Sequence, residues 1–225
     1  MTPQPDAARL NLAVLASGRG SNLQAIIDAI AVGALDAQVV GVFSDRKDAP
    51  ALQRARDAGI AAHALEPRAF ATRLAFDAAM FGHVDALAPD LIVCAGYMRL
   101  IGEGEVQARR GRLLNIHPSL LPAFKGLRTH AQALAAGAIE HGASVHFVTP
   151  DLDGGPVIAQ ARVPIRRGDD AEALARRVLA FEHPLLVQVL GLFCAGRVAL
   201  HGDAVVVDGQ PLSTPLQLGA NKRFA

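Results

Sequence analysis

The stretch LAVLASGRGSNLQAIIDA, residues 12–29, opens with an apolar run from Leu12 to Ala16. It turns through Ser17-Gly18-Arg19-Gly20-Ser21-Asn22 and continues with apolar residues at helical spacing. A short buried strand, a glycine turn and a helix in that order form the first half of a βαβ unit. Working outward, apolar runs at 39–43, 60–64 and 91–95 alternate with Ala-rich helical segments at 22–32, 49–58 and 70–87, which Gly33, Gly59 and Pro89 close. The alternation predicts an α/β fold: a doubly wound, mostly parallel sheet flanked by helices, Rossmann-like, in one domain over 11–200 with terminal tails at 1–10 and 213–225.

Beyond residue 110 the expected order is a strand at 112–117, a Pro-rich loop, a helix at 129–136 and strands at 143–149 and 157–165. Asp169 then has the chemistry of an N-cap for a helix towards Cys194, which Pro184 is expected to kink or break. A hairpin of 197–200 with 204–207 follows.

With 51% hydrophobic residues the 225-residue chain can bury a large core. Its 22 basic and 21 acidic residues, net +1, give no field of the kind a nucleic-acid binder carries, so an anionic partner must be held locally. Cys94 and Cys194 lie in apolar stretches and suggest neither a disulfide framework nor a metal site. The N-terminus lacks the pattern of a signal peptide, and no apolar stretch reaches the ~18 residues of a membrane span, so a cytoplasmic protein without a membrane role is expected.

At the glycine loop, backbone N–H groups and the positive helix end favour an anion, and Ser21 and Asn22 add donors. The dinucleotide fingerprint fails because Leu23 stands at its third glycine, although Asp45 weakly matches the ribose-binding acid; the Walker lysine is absent. A glycine turn serving only close packing is the alternative. In Leu113-Leu114-Asn115-Ile116-His117-Pro118 the strand period puts Asn115 and His117 on one face. Ser144 and His146 share a face of the next strand and are possible support for that site, while Asp151 and Asp153 sit in a Gly-rich loop as candidate carboxylates or simple turn formers. His63, His83, His141 and His201 have no convergent partners in the sequence and read as structural.

At these motifs the chain resembles the folate-dependent formyltransferase family, and within it the enzymes that act on glycinamide ribonucleotide in purine synthesis. The resemblance runs from LAVLASGRGSNLQAIIDA through DLIVCAGYMRLIG and LLNIHPSLLPAFKGLRTHAQAL to EHGASVHFVTPDLDGGPVIAQARVPI, and NIHPSLLP followed by DLDGGP is its most specific part. It implies Asn115, His117 and Asp153 as the catalytic trio, and Gly20, Ser21 and Asn22 as the grip on the substrate phosphate. It further implies Glu182 on the ribose hydroxyls, Arg73 near the phosphate, and Tyr97, Met98, Arg99 and Leu100 with Thr149, Pro150 and Asp151 as the wall for the pterin. The implied formyl donor is 10-formyltetrahydrofolate, with no metal, no nucleic acid, and a monomer or homodimer as the working unit. Direct attack by the substrate amine would give an oxyanion stabilised by Asn115 and His117, with Asp153 favouring the charged imidazole and assisting proton transfer. Arg19 and Pro150 depart from the family's usual residues, which bears on affinity.

Three rivals remain at this level. Formyltetrahydrofolate deformylase shares the trio but uses water, and usually carries an N-terminal regulatory domain. Methionyl-tRNA formyltransferase would need a C-terminal RNA-binding domain and more positive charge. A non-catalytic nucleotide-binding module would have no use for the trio.

Overall fold

The computed structural model describes residues 9–224. Its first half is doubly wound. Strands β1 (Leu10–Leu15), β2 (Ala37–Ser44) and β3 (Ala62–Ala64) run to one side, and β4 (Leu91–Cys94) and β5 (Leu113–His117) to the other, all in parallel. Helices α1 (Ser21–Ala31), α2 (Pro50–Asp57), α3 (Arg73–Asp85) and α4 (Glu103–Ala108) connect them. Strand β1 shows why such strands read as unbroken apolar runs. Leu12, Val14 and Ala16 face the core shared with α1 and α2, whereas Ala13 and Leu15 face Phe76, Met80 and Phe81 of α3. With both sheet faces covered, every position from Leu12 to Ala16 is apolar.

The second half adds α5 (Thr129–Ala135), β6 (Glu140–Phe147), β7 (Val157–Pro164) and α6 (Ala171–Cys194). Strand β6 pairs antiparallel with both β5 and β7, so the sheet is mixed and its parallel order is interrupted here. The expected strand at 143–149 begins earlier because Glu140, His141 and Gly142 pair with Pro164, Val163 and Arg162, a partnership that polar residues and a glycine conceal in the sequence. Helix α4 was not expected: its six residues include Gly104, and Val106 is its one buried side chain, too little for a periodicity.

Two expectations about α6 are corrected. Asp170 is the N-cap, accepting from Ala173 N at 2.7 Å, while Asp169 accepts from Arg166 N and pairs with both terminal nitrogens of Arg177. Pro184 does not end the helix, which continues for ten residues beyond it. The lost amide bond is outweighed by burial of Leu185, Leu186, Val189 and Leu190, each typically worth roughly 1.5–3 kcal/mol. At 24 residues, with an 18-residue stretch of mean hydropathy 1.4, this helix meets a membrane span's requirements in length and composition. It is nevertheless a core helix, packed on β6, β7 and α1.

The hairpin forms from β8 (Val198–His201) and β9 (Ala204–Val207), joined by β10 (Gln210–Pro211) in a small separate sheet. Strand β11 (Leu216–Gln217) then pairs in parallel with β7 at the edge of the main sheet, giving the order β11-β7-β6-β5-β4-β1-β2-β3. The folded unit therefore passes the expected limit at residue 200, and part of the expected tail at 213–225 is a strand. Of the expected N-terminal tail, residues 1–8 lie outside the described residues, and Leu10 already belongs to β1.

Candidate active site

The strand order reverses at β1, and the loops after β1 and β4 meet there, with Ser17 N donating to Gly96 O at 3.0 Å. Such switch points open a crevice at the carboxyl ends of strands. Gly20 caps α1 in the left-handed region (φ 70), and a Cβ on it would lie 2.7 Å from Ala51 Cβ and 2.8 Å from its Cα. Glycine is thus required twice over, by backbone conformation and by the approach of α2. Gln24 N makes the first intrahelical bond, to Gly20 O, so the amides of Ser21, Asn22 and Leu23 have no intrahelical acceptor. Ser21 and Asn22 border a cleft of about 410 Å³ lined by the loop, Gly96, His130 and the inward face of α6.

Glu182 reaches this cleft from α6 and its Oε2 accepts from Asn22 Nδ2 at 3.0 Å. Burial pushes the Glu182 carboxyl up, against the lowering effect of the Asn22 bond. Arg73 is not brought here. It begins α3, is exposed, and its charge acts on Asp77, whose carboxylate accepts from Gly102 N just beyond the Tyr97–Leu100 loop. The family resemblance had implied the phosphate, but α3 starts on the opposite side of the sheet from α1.

Strand β5 delivers Asn115 and His117 to one point, with His146 of β6 opposite Asn115 in register. Asp153 joins them from the loop after β6. Its Oδ2 accepts from Gly126 N at 2.9 Å and lies 3.5 Å from His117 Nδ1; its Oδ1 accepts from Asn115 Nδ2 at 3.4 Å. His117 Nε2 meets Phe124 O at 3.1 Å, so each ring nitrogen faces an oxygen acceptor, one a backbone carbonyl and one the Asp153 carboxylate. His146 is the reverse case. Its Nδ1 donates to Phe147 O at 2.9 Å and its Nε2 accepts from Asn115 Nδ2 at 3.1 Å, a neutral tautomer that burial enforces by lowering its pKa to about 4. Ser144 does not look into the cleft. Fully buried, it accepts from Leu121 N and Gln160 and donates to Ser119 O, tying down the Pro-rich loop.

Tyr97, Arg99 and Leu100 with Thr149, Pro150 and Asp151 border a slot of about 90 Å³ against Asn115 and His146. A wider cavity of about 420 Å³ adjoins it and takes in Met98, His117, Leu127 and His130. Its apolar side chains are open to solvent, Met98 at 65% and Leu127 at 73% exposure. Burial pushes the Tyr97 phenol up, and Arg99 stacks over Phe76 at 4.8 Å. Asp151 turns outward to Lys125 Nζ at 3.1 Å. Together the two cavities and the cleft at the glycine loop form a trough with Asn115, His117 and Asp153 on its floor.

Some residues of the trough are invisible to motif reading. His130 borders both large cavities and packs against His141 at 3.1 Å, so His141 does have a partner that its own segment could not announce. Glu172 and Arg176 also border the cleft; counting back from Glu182 at helical spacing would have found them.

Residues 10–190 match the formyl transferase family, and the chain belongs to that family. It is 50% identical over 203 residues to the phosphoribosylglycinamide formyltransferase of Escherichia coli (strain K12), covering 90% of this chain and 96% of the relative. The solved phosphoribosylglycinamide formyltransferase of Coxiella burnetii, in complex with CHES, has a TM-score of 0.88 at 48% identity and covers 91% and 96% of the two chains. The formyltetrahydrofolate deformylase structure from Burkholderia mallei ATCC 23344 is more distant: TM-score 0.80, 28% identity, 89% of this chain and 70% of that one.

Proposed function

We propose that the protein transfers the formyl group of 10-formyltetrahydrofolate to the amine of glycinamide ribonucleotide in purine biosynthesis. The observation that carries the reading is the contact of Asn115, His117 and Asp153 where an anion-binding cleft meets an apolar trough. The phosphate lies against the amides of Gly20, Ser21 and Asn22, Glu182 takes the ribose hydroxyls, and the pterin enters the slot between Tyr97–Leu100 and Thr149–Asp151. Arg73, beside Arg99 and Asp77, belongs to the folate side.

The neutral amine attacks the formyl carbon, forming the C–N bond and moving the carbonyl electron pair onto oxygen. Asn115 and His117 donate to that oxyanion, His117 through Nε2 in exchange for its contact with Phe124 O while Nδ1 stays on Asp153, each such donor typically contributing ~3–4 kcal/mol. Asn115 frees a proton by giving up its 3.4 Å bond to Asp153, the weaker of its two, while His146 keeps the amide oriented. The attacking nitrogen loses a proton to Asp153, directly or through water. The folate N10 gains one and leaves as the carbonyl re-forms.

The test is loss of the formyl group from 10-formyltetrahydrofolate with and without glycinamide ribonucleotide. Loss that depends on the nucleotide, with formylated product, is expected; equal loss in its absence would make the protein a deformylase.

A further inference from the structure

Three guanidinium groups surround the glycine loop. Arg54 of α2 is spent on the loop itself, its Nε donating to Arg19 O at 2.8 Å and its Nη1 to Gln24 Oε1 at 2.9 Å. Arg19 and Arg176 border the cleft from opposite sides, one on the loop and one on α6. Among the described residues no carboxylate pairs with Arg19. Arg176 pairs only with Glu172 one turn back, at 2.7 Å, and both side chains are largely exposed. Such a pair is weak and exchangeable.

The inward face of α6 has a graded chemistry. Glu172, Ala175, Arg176, Leu179 and Glu182 border the cleft in that order. Arg176 stands six residues, about 9 Å, from Glu182. At the Glu182 end, Asn22 borders the cleft, is 7% exposed, and its Oδ1 has no hydrogen-bond partner among the described residues. A ligand matched to this face presents hydroxyls at one end, a ring over Leu179 and an anion at the other.

We propose that Arg19 and Arg176 close on the phosphate monoester of the nucleotide as a two-sided clamp, Arg176 exchanging Glu172 for the phosphate when the ligand binds. The inference rests on the nucleotide site described above and adds the groups that set its affinity. The helix amides hold the phosphate from below, and each guanidinium presents a planar fork suited to two of its oxygens. Arg54 fixes the Arg19 backbone, so the Arg19 side chain starts from a defined point. Glu172 holds Arg176 beside the cleft and competes with the phosphate for it.

Calorimetric titration of the full chain with ribose 5-phosphate tests the clamp without requiring turnover. Arg19→Gln and Arg176→Gln should each weaken binding about tenfold, and Arg176→Lys should recover only part of the loss. Glu172→Gln should tighten binding by about twofold to threefold, and the gain should vanish when Arg176→Gln is also present. In turnover the arginine changes should raise the nucleotide's KM, with kcat moving less than about twofold and the folate's KM unaffected. Affinity that neither arginine change alters by more than about twofold, a Glu172→Gln gain that survives Arg176→Gln, or no binding of ribose 5-phosphate at all would each overturn the clamp. Arginine-dependent ribose 5-phosphate binding without nucleotide-dependent formyl loss would instead sink the reading of the reaction and leave the clamp standing.

Discussion

Asp153 has a φ of 47, in the left-handed region that costs a non-glycine residue about 1–2 kcal/mol. The strain is held by the bond from Gly126 N and turns the carboxylate inward, whereas Asp151, two residues earlier, faces Lys125. Strand alternation was enough to put Asn115 and His117 on one face; residue chemistry left Asp151 and Asp153 open, the family resemblance implied Asp153, and the physical reason for that choice is this loop conformation. Because Asp153 touches both other members of the trio, the three should act as a unit. Asp153→Asn is expected to lower kcat by about a hundredfold or more with a smaller effect on KM, and Asp153→Asn with His117→Ala to cost far less than the product of the separate losses. Steady-state kinetics of the two single variants and the double variant decide it: fully multiplicative losses, or a wild-type rate in Asp153→Asn, would remove Asp153 from the mechanism.

Elements with a strong period were legible, and those defined by their partners were not. β1, α1, β4 and β5 sit within a few residues of expectation because burial on one or both faces writes itself into the sequence. β11 is two residues long and exists because β7 offers an unpaired edge. Leu218, just after it, is nearly buried, and Gln217 accepts from Arg162 Nε at 3.2 Å. Truncation after residue 213 should therefore lower stability by about 2–4 kcal/mol, through the lost burial and edge hydrogen bonds, while leaving the active-site trio in place. Urea unfolding measures this, and a midpoint equal to that of the full chain would show that the segment contributes nothing.

At the scale of the whole molecule, the parallel half supplies the glycine loop, and the second half supplies the acid and, through α6, the facing wall of the cleft, so the site exists only once β5 and β6 have paired. The pairing buries imidazoles in neutral form. Burial lowers His146 and His141 from an ordinary 6.5 to about 4 each. Between those values the unfolded chain binds more protons than the native one. Stability is then full above about pH 6.5, falls as pH is lowered, and levels off near 4. For His146 the loss amounts to roughly 3 kcal/mol. Chemical denaturation at pH 7 and pH 5 should show the decline, and His146→Gln should reduce it; an unchanged slope would mean that other groups carry the acid sensitivity.

The sequence by itself determined the doubly wound first half, the glycine loop and the shared face of Asn115 and His117, because helix and strand periods and the demand for glycine at a positive φ are local properties. Only the tertiary structure decided that β6 runs antiparallel, that α6 continues through Pro184, and that Arg73 lies away from the glycine loop. Each of these depends on which surfaces are available to bury against and which distant groups offer a hydrogen bond, quantities that arise only when segments far apart in the chain are packed together.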